Sequence, residues 1–208
     1  MLRSIILAAA AFGSTSAFAH HPMGGETPAT LSHGLLSGIG HPILGLDHLA
    51  FVVAVGVAAA LAGSRFLLPL AFVGATIAGT LVHLAAIGLP AVEAVIAASV
   101  ASVGLLLAIG VRLPSVAWAG LFAIVGLFHG HAYGEAIFGA ETTPVLAYLV
   151  GFGLTQWAIA VVAGTAIVGL LGEGAKWAAN VPARVAGGMV AGAGLMIVGE
   201  QAIAAAFA

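Results

Sequence analysis

Hydrophobic residues along the chain gather in six long stretches, separated by short segments that contain glycine, proline or charged residues. Each stretch is close to the roughly 20 residues that a helix needs to cross the hydrocarbon core of a bilayer. Prolines stand at or near most of the starts, where a helix does not use their missing N–H. The pattern therefore predicts an all-α, polytopic membrane helix bundle with six transmembrane helices. The predicted helices cover residues 42–62, 66–88, 91–110, 115–133, 144–171 and 181–205.

Residues 1–19 have the pattern of a cleaved signal peptide. Arg3 begins it, residues 5–12 form its apolar part, and residues 17–19 offer the small-residue cleavage site. A first transmembrane helix is the alternative, but the apolar run is short and is interrupted by residues 13–16. We therefore predict that the signal peptide is removed.

The predicted mature chain has two parts. Residues 20–40 form a His-containing periplasmic N-terminal segment with a short interfacial helix near residues 33–39, and residues 41–208 form the six-helix transmembrane domain. His20 and His21 begin the first part. A free α-amine beside two imidazoles can hold a metal ion loosely, and an ordinary polar tail is the equally weighted alternative.

Basic residues predict how the helices are oriented. Arg65, Arg112 and Lys176 fall in alternate loops, and Arg184 lies just inside the last predicted helix. With the mature N-terminus in the periplasm, all four lie on the cytoplasmic side, as the positive-inside rule requires. The chain is therefore predicted to be a multi-pass protein of the bacterial inner (cytoplasmic) membrane.

Composition supports this class and narrows the chemistry. Hydrophobic residues make up 62% of the chain and charged residues 6%, which is typical of a membrane protein. The chain has no cysteine, so disulfides and thiolate metal sites are excluded. Its 30 glycines predict close helix packing, for example at Gly126-x-x-x-Gly130 and Gly188-x-x-x-Gly192. Nothing suggests a nucleic-acid partner.

Ionisable side chains inside the spans gather in the predicted outer halves. A charge at membrane depth is costly and usually marks a functional site. Imidazole nitrogen and carboxylate oxygen together suit a divalent transition metal. The clustering predicts a single polar metal site, with no catalytic residue and no permanently bound cofactor. The candidate ligands are His41, Asp47, His48, His83, Glu93, His129, His131 and Glu135.

Helix geometry separates the candidates in the first cluster. His41 and His48 lie on one stripe but about 10 Å apart along a regular helix, so they share an ion only if Pro42 and Gly45 unwind the turn. Asp47 and His48 project about 100° apart and can converge on an ion between helices. We predict Asp47 and His48 as ligands or immediate neighbours of the ion, with Asp47 alternatively orienting an imidazole. We predict His41 as an access or capping residue.

The other candidates lie on later helices. His129 and His131 face nearly opposite sides of one helix, one toward the bundle and the other toward its rim. His131 and Glu135 share a face if the helix continues between them. His83 is a lone histidine on an apolar helix, and its depth makes a ligand and a buried structural residue equally expected. Glu93 is also taken as a candidate, with a neutral, hydrogen-bonded carboxyl as the alternative.

Two motifs resemble the HupE/UreJ family of nickel permeases. They are His41-Pro42-x-x-Gly45-Leu46-Asp47-His48 and Phe128-His129-Gly130-x-Ala132-Tyr133-Gly134. The resemblance covers essentially the whole chain. It implies a six-helix inner-membrane protein that brings nickel, or cobalt in some members, toward hydrogenase, urease or cobalamin assembly. By position it implies metal roles for His41, Asp47, His48, His129 and Glu135.

The leading hypothesis is a secondary permease that transports Ni²⁺ or Co²⁺. Since metal ligands bind as neutral imidazole and ionised carboxylate, uptake is expected to fall as pH drops through the range in which histidine protonates. The alternatives are a membrane-embedded zinc-dependent hydrolase that uses the same His/Asp cluster, or a metal sensor or donor without transport. We predict a transporter and not an enzyme. The expected partners are the metal ion and the lipid bilayer, and a homo-oligomer is left open.

Overall fold

The computed structural model describes residues 26–171 and 181–207. Its helices are α1 (Leu31–Leu44), α2 (Leu46–Leu61), α3 (Leu68–Leu84), α4 (Val92–Ile109), α5 (Ser115–Glu135), α6 (Thr142–Leu171) and α7 (Val181–Ala206). No strand occurs within these residues, so the predicted all-α class is confirmed for them. The predicted signal peptide, the two histidines that follow it (His20 and His21) and Lys176 lie outside the described residues.

A helix covers each of the six predicted spans, but the helices differ in length. By length and composition, α4, α5, α6 and α7 can each cross a membrane, and the bent pair α1–α2 is a fifth span if it acts as one. Helix α3 is apolar and has 17 residues, about 26 Å at 1.5 Å per residue. The count of six spans therefore stays a prediction.

Helix α1 is longer than the short interfacial helix predicted near residues 33–39. It begins after Thr30, whose side chain accepts a hydrogen bond from the backbone N–H of His33 at 3.1 Å, as a helix N-cap does. Its small residues lie against the backbone of α6. This packing extends α1 to Leu44. Pro42 was predicted to open the first span, but it lies inside α1.

The chain turns sharply at Gly45, between α1 and α2. The two helices are bent by 78°, and Gly45 has an extended backbone with φ −77° and ψ 106°. A Cβ atom on this residue would lie 2.7 Å from Cδ2 of His48, closer than carbon atoms can approach without a shift. Glycine at this position therefore allows the first turn of α2 to fold back close to the bend.

Glycines form the contacts between the main helix pairs. Gly126 and Gly130 lie against the backbone of α3, which confirms the packing predicted for that pair. The packing predicted for Gly188 and Gly192 is wrong: a Cβ on either would meet no described atom within 4 Å. Gly187, one residue earlier, contacts α4 instead, because the pattern of small residues does not by itself determine which face of α7 is buried.

Two hydrogen bonds identify one end of the bundle. Ser115 Oγ donates to the carbonyl of Ala62 at 3.3 Å, and Arg184 Nε donates to the carbonyl of Ala108 at 2.8 Å. The ends of α2 and α4 therefore lie beside the starts of α5 and α7. This end also carries the loops with Arg65 and Arg112, and we call it the basic end.

The histidines of α2, α3 and α5 lie toward the opposite end, which we call the His end. Between the two ends, a buried aromatic cluster fills the bundle and includes Phe51, Phe72, Trp118 and Phe122. Large apolar side chains cover the outward faces. Examples are Leu70, Leu105, Ile124, Leu154, Val162 and Met189. Such an apolar exterior around a buried polar cluster is typical of helices in lipid.

Candidate metal site

A pair of histidines from two different helices lies at the centre of the His end. His48, in the first turn of α2, and His129, six residues before the end of α5, are 1% and 0% exposed. Their Nδ1 atoms are 3.1 Å apart, and their ring centroids are 5.2 Å apart. Two imidazole nitrogens bound to one ion at about 2.1 Å would be about 3.0–3.4 Å apart. The pair therefore has the spacing of two ligands of one metal ion.

Ser99 of α4 determines which nitrogen of His129 carries the proton. Its hydroxyl donates to the carbonyl of Ile96 at 2.7 Å, so its oxygen accepts from Nε2 of His129 at 3.1 Å. A neutral His129 protonated on Nε2 has its lone pair on Nδ1, the atom that faces His48. Ser99 thus acts as the outer hydrogen-bond partner that metal-binding histidines usually have.

His41 is brought to the same cluster by the bend at Gly45. Its ring is 1% exposed, and its centroid lies 5.6 Å from that of His48. Sequence analysis required an unwound turn for these two histidines to approach one another, and the break between α1 and α2 supplies it. His41 therefore lies within the buried cluster.

Tyr148 of α6 orients His41. Its hydroxyl donates to the carbonyl of Tyr133 at 2.8 Å, so it accepts from Nδ1 of His41, also at 2.8 Å. This leaves the lone pair of neutral His41 on Nε2. The ring of Tyr133 packs against both histidines, with centroids 4.8 Å from His41 and 4.4 Å from His48.

Asp47 supplies a negative charge at the bend. It is 8% exposed and lies in the first turn of α2, where the helix dipole favours a carboxylate. A Cβ on Gly45 would lie 3.2 Å from its Oδ1, so the carboxylate folds back over that glycine. Asp47 is also within electrostatic range of His129. A buried carboxylate here favours a cation between the helices.

Aromatic rings close the cluster on the side toward the basic end. The ring of Phe51 lies 4.5 Å from that of His129, and the ring of Phe72 lies 5.7 Å from it. Phe51 and Phe72 are themselves 5.2 Å apart, and both are almost fully buried. The polar cluster therefore ends on an apolar layer.

The remaining candidates lie elsewhere at the His end. His131 faces away from His129 and pairs with His83, with Nδ1 atoms 3.4 Å apart. Glu135 and Glu93 are both exposed. The backbone carbonyl of Glu93 accepts from Gln201 Nε2 at 3.2 Å. Where sequence analysis predicted one polar site, the structure has two histidine pairs, because the two histidines of α5 face opposite sides.

Among the described residues, no three His, Asp or Glu side chains lie close enough together to hold one ion. In each histidine pair, the two Nδ1 atoms are separated by the distance expected between two nitrogen ligands of one ion. Further ligands of a bound ion would then come from water, from backbone oxygen, or from a small movement of Asp47 or His41.

The predicted site did not include three residues that shape this cluster, namely Ser99, Tyr133 and Tyr148. A signal for two of them was present: the chain has only two tyrosines, and both fall in predicted spans. A buried tyrosine hydroxyl usually has a hydrogen-bond partner. Serine is common at helix contacts in membranes, so its residue type alone did not single out Ser99.

We expect Tyr148→Phe to lower both stability and metal affinity. The change removes the partner of His41 Nδ1 and of the Tyr133 carbonyl, and each unpaired buried group costs about 1–3 kcal/mol. The thermal unfolding midpoint in detergent and nickel binding by calorimetry measure the two effects. Tyr133→Phe is the matched control, because the Tyr133 hydroxyl has no hydrogen-bond partner among the described residues. Equal losses in both variants would contradict this role for Tyr148.

Sequence comparison relates the chain to known proteins. The sequence model of the HupE / UreJ protein family matches residues 7–197. The protein HupE of Rhizobium leguminosarum bv. viciae is 36% identical over 168 residues, which cover 77% of this chain and 82% of that protein. No solved structure shows a significant match to the chain.

Proposed function

The chain belongs to the HupE/UreJ family, and on that premise we propose that it is a secondary permease for a divalent transition metal ion. The family is of the nickel/cobalt permease type, and the apolar helices indicate a multi-pass membrane protein. Nickel is the proposed cargo and cobalt the alternative. The ion would supply the assembly of a metalloenzyme or a cofactor.

This proposal rests mainly on the geometry of the His48/His129 pair. Two imidazoles face one another through Nδ1 at 3.1 Å, and Ser99 directs the lone pair of His129 toward His48. In the metal-free protein, His48 donates its Nδ1 proton to that lone pair. A divalent ion takes the place of this proton, and His48 then carries its proton on Nε2. Neutral nitrogen ligands with a nearby carboxylate suit Ni²⁺ and Co²⁺.

The surroundings of the pair support transport through the bundle. We place the His end in the periplasm and the basic end in the cytoplasm, as the positive-inside rule requires. The layer formed by Phe51 and Phe72 separates the bound ion from the basic end. Release to the cytoplasm then requires these rings to move apart, and the bend at Gly45 lets α1 and α2 change their angle.

Uptake of nickel-63 and cobalt-57 by cells tests the proposal. We expect saturable uptake at sub-micromolar metal with the wild type, and background uptake with Asp47→Ala/His48→Ala at equal amounts of membrane protein. The isotope taken up faster at the same low concentration identifies the cargo. No uptake by the wild type, with metal still bound by the purified protein, would contradict transport and favour the sensor or hydrolase.

A further inference from the structure

The second histidine pair, His83 and His131, repeats the chemistry of the first. Nε2 of His131 lies 3.0 Å from the carbonyl of Ile87, and a carbonyl only accepts, so Nε2 carries the proton. The lone pair of neutral His131 is therefore on Nδ1, which faces Nδ1 of His83 at 3.4 Å. This is again within the about 3.0–3.4 Å expected for two nitrogen ligands of one ion.

Local backbone features build this second pair. Ala86, just after α3, has a left-handed backbone with φ 57°, and this turn leads the chain to Ile87, whose carbonyl meets His131. On α5, Gly134 leaves room for His83, because a Cβ there would lie 2.7 Å from Cγ of His83. Because non-glycine residues rarely adopt a positive φ, the turn at Ala86 is a specific feature of this loop. The pair is thus held in place from both helices.

The second pair is distinct from the buried one and closer to the surface. His129 and His131 are two residues apart, which turns their side chains about 200° from one another around α5. Since a helix with its side chains is about 10–12 Å across, the two pairs lie about that far apart. His83 is half-buried and His131 is 7% exposed, while Glu135, one turn after His131, is exposed.

We propose that His83 and His131 form an outer acquisition site for the same class of cation, a divalent transition metal that prefers imidazole nitrogen. This inference rests on the proposed function, because the ion acquired here is the one that passes to His48 and His129. The outer pair lies nearer to the surface through His83, which is half-buried, whereas His48 and His129 are 1% and 0% exposed and the ring of Tyr133 packs against His48. A plain hydrogen-bond link between α3 and α5 is the competing role for the outer pair.

Nickel binding by the purified full-length protein distinguishes the two roles. Equilibrium dialysis with nickel-63 counts ions per chain for the wild type, His83→Ala/His131→Gln and His48→Ala/His129→Ala. The outer variant keeps a donor for the Ile87 carbonyl, because glutamine carries an N–H group, but it loses both imidazoles. We expect each variant to bind about one ion fewer than the wild type, and His33→Ala, which removes an exposed histidine of α1, to bind as many as the wild type.

Uptake provides a second readout. We expect the apparent KM for uptake to rise about tenfold or more in His83→Ala/His131→Gln, in the range seen when the surroundings of a metal site are altered. An outer variant that binds as many ions as the wild type and has an unchanged KM would overturn the outer site. If the wild type binds both ions but shows no uptake, the proposed function and the acquisition role fail, while metal binding by His83 and His131 stands.

Discussion

His129→Ala is expected to abolish metal uptake and to remove the buried metal site. His129 is fully buried and supplies the one nitrogen lone pair that Ser99 directs toward His48. Changing an outer partner of a metal ligand typically lowers affinity 10–100-fold, so loss of the ligand itself should lower nickel affinity by about 100-fold or more. Calorimetry on the purified variant and nickel-63 uptake in cells measure the loss.

A graded series separates this role from a loss of folding. Ser99→Ala keeps the imidazole of His129 but no longer fixes its proton on Nε2. We expect a nickel affinity about tenfold lower than that of the wild type. His33→Ala should bind and transport as the wild type does. If His129→Ala folds and transports normally, the buried pair is not the transport site.

Gly130→Ala is expected to destabilise the protein and to disturb both histidine pairs. Gly130 lies between His129 and His131, and a Cβ there would lie 2.6 Å from the carbonyl carbon of Thr76 in α3. Backbone atoms cannot turn aside as a side chain can, so α3 and α5 must move apart. Overpacking of this kind costs typically about 1–3 kcal/mol, and more in tight places. The same movement distorts the hydrogen bond that the Thr80 hydroxyl donates to the Gly130 carbonyl at 2.8 Å.

The thermal unfolding midpoint in detergent and nickel binding measure this effect together. Gly120→Ala is the matched control on the same helix, because a Cβ at Gly120 meets no described atom within 4 Å. We expect the control to keep or slightly raise the midpoint, since alanine favours helix over glycine. Equal behaviour of the two variants would contradict the close packing of α3 against α5.

Hydrophobic runs predicted the helices of this fold well, because apolar stretches near membrane length have few alternatives to a helix. They predicted α1 only as a short interfacial helix near residues 33–39, because its small residues are typical of a polar lead-in. Thr30 caps its start in the structure, and its continuation past Pro42 depends on packing against α6. The break at Gly45 was foreseen only as a condition for His41 and His48 to meet.

The candidate ligands were predictable, and their pairing was not. Depth in the membrane follows from position along the chain, so His48 and His129 were correctly placed near one end of the bundle. The partner of each histidine depends on how each helix is rotated about its axis, and the weak amphipathicity of membrane helices leaves that rotation open. For this reason His83, a lone histidine in sequence, acquires His131 as its partner only in three dimensions.

X-ray absorption at the nickel edge tests whether His48 and His129 together hold the transported ion. The protein that carries His83→Ala/His131→Gln and His20→Ala/His21→Ala, loaded with nickel, limits the signal from the outer pair and from the N-terminal histidines. We expect scattering from two imidazole rings, and its loss when His48 and His129 are also replaced by alanine. A shell of oxygen atoms alone, or imidazole scattering that survives both replacements, would contradict this assignment of the ligands.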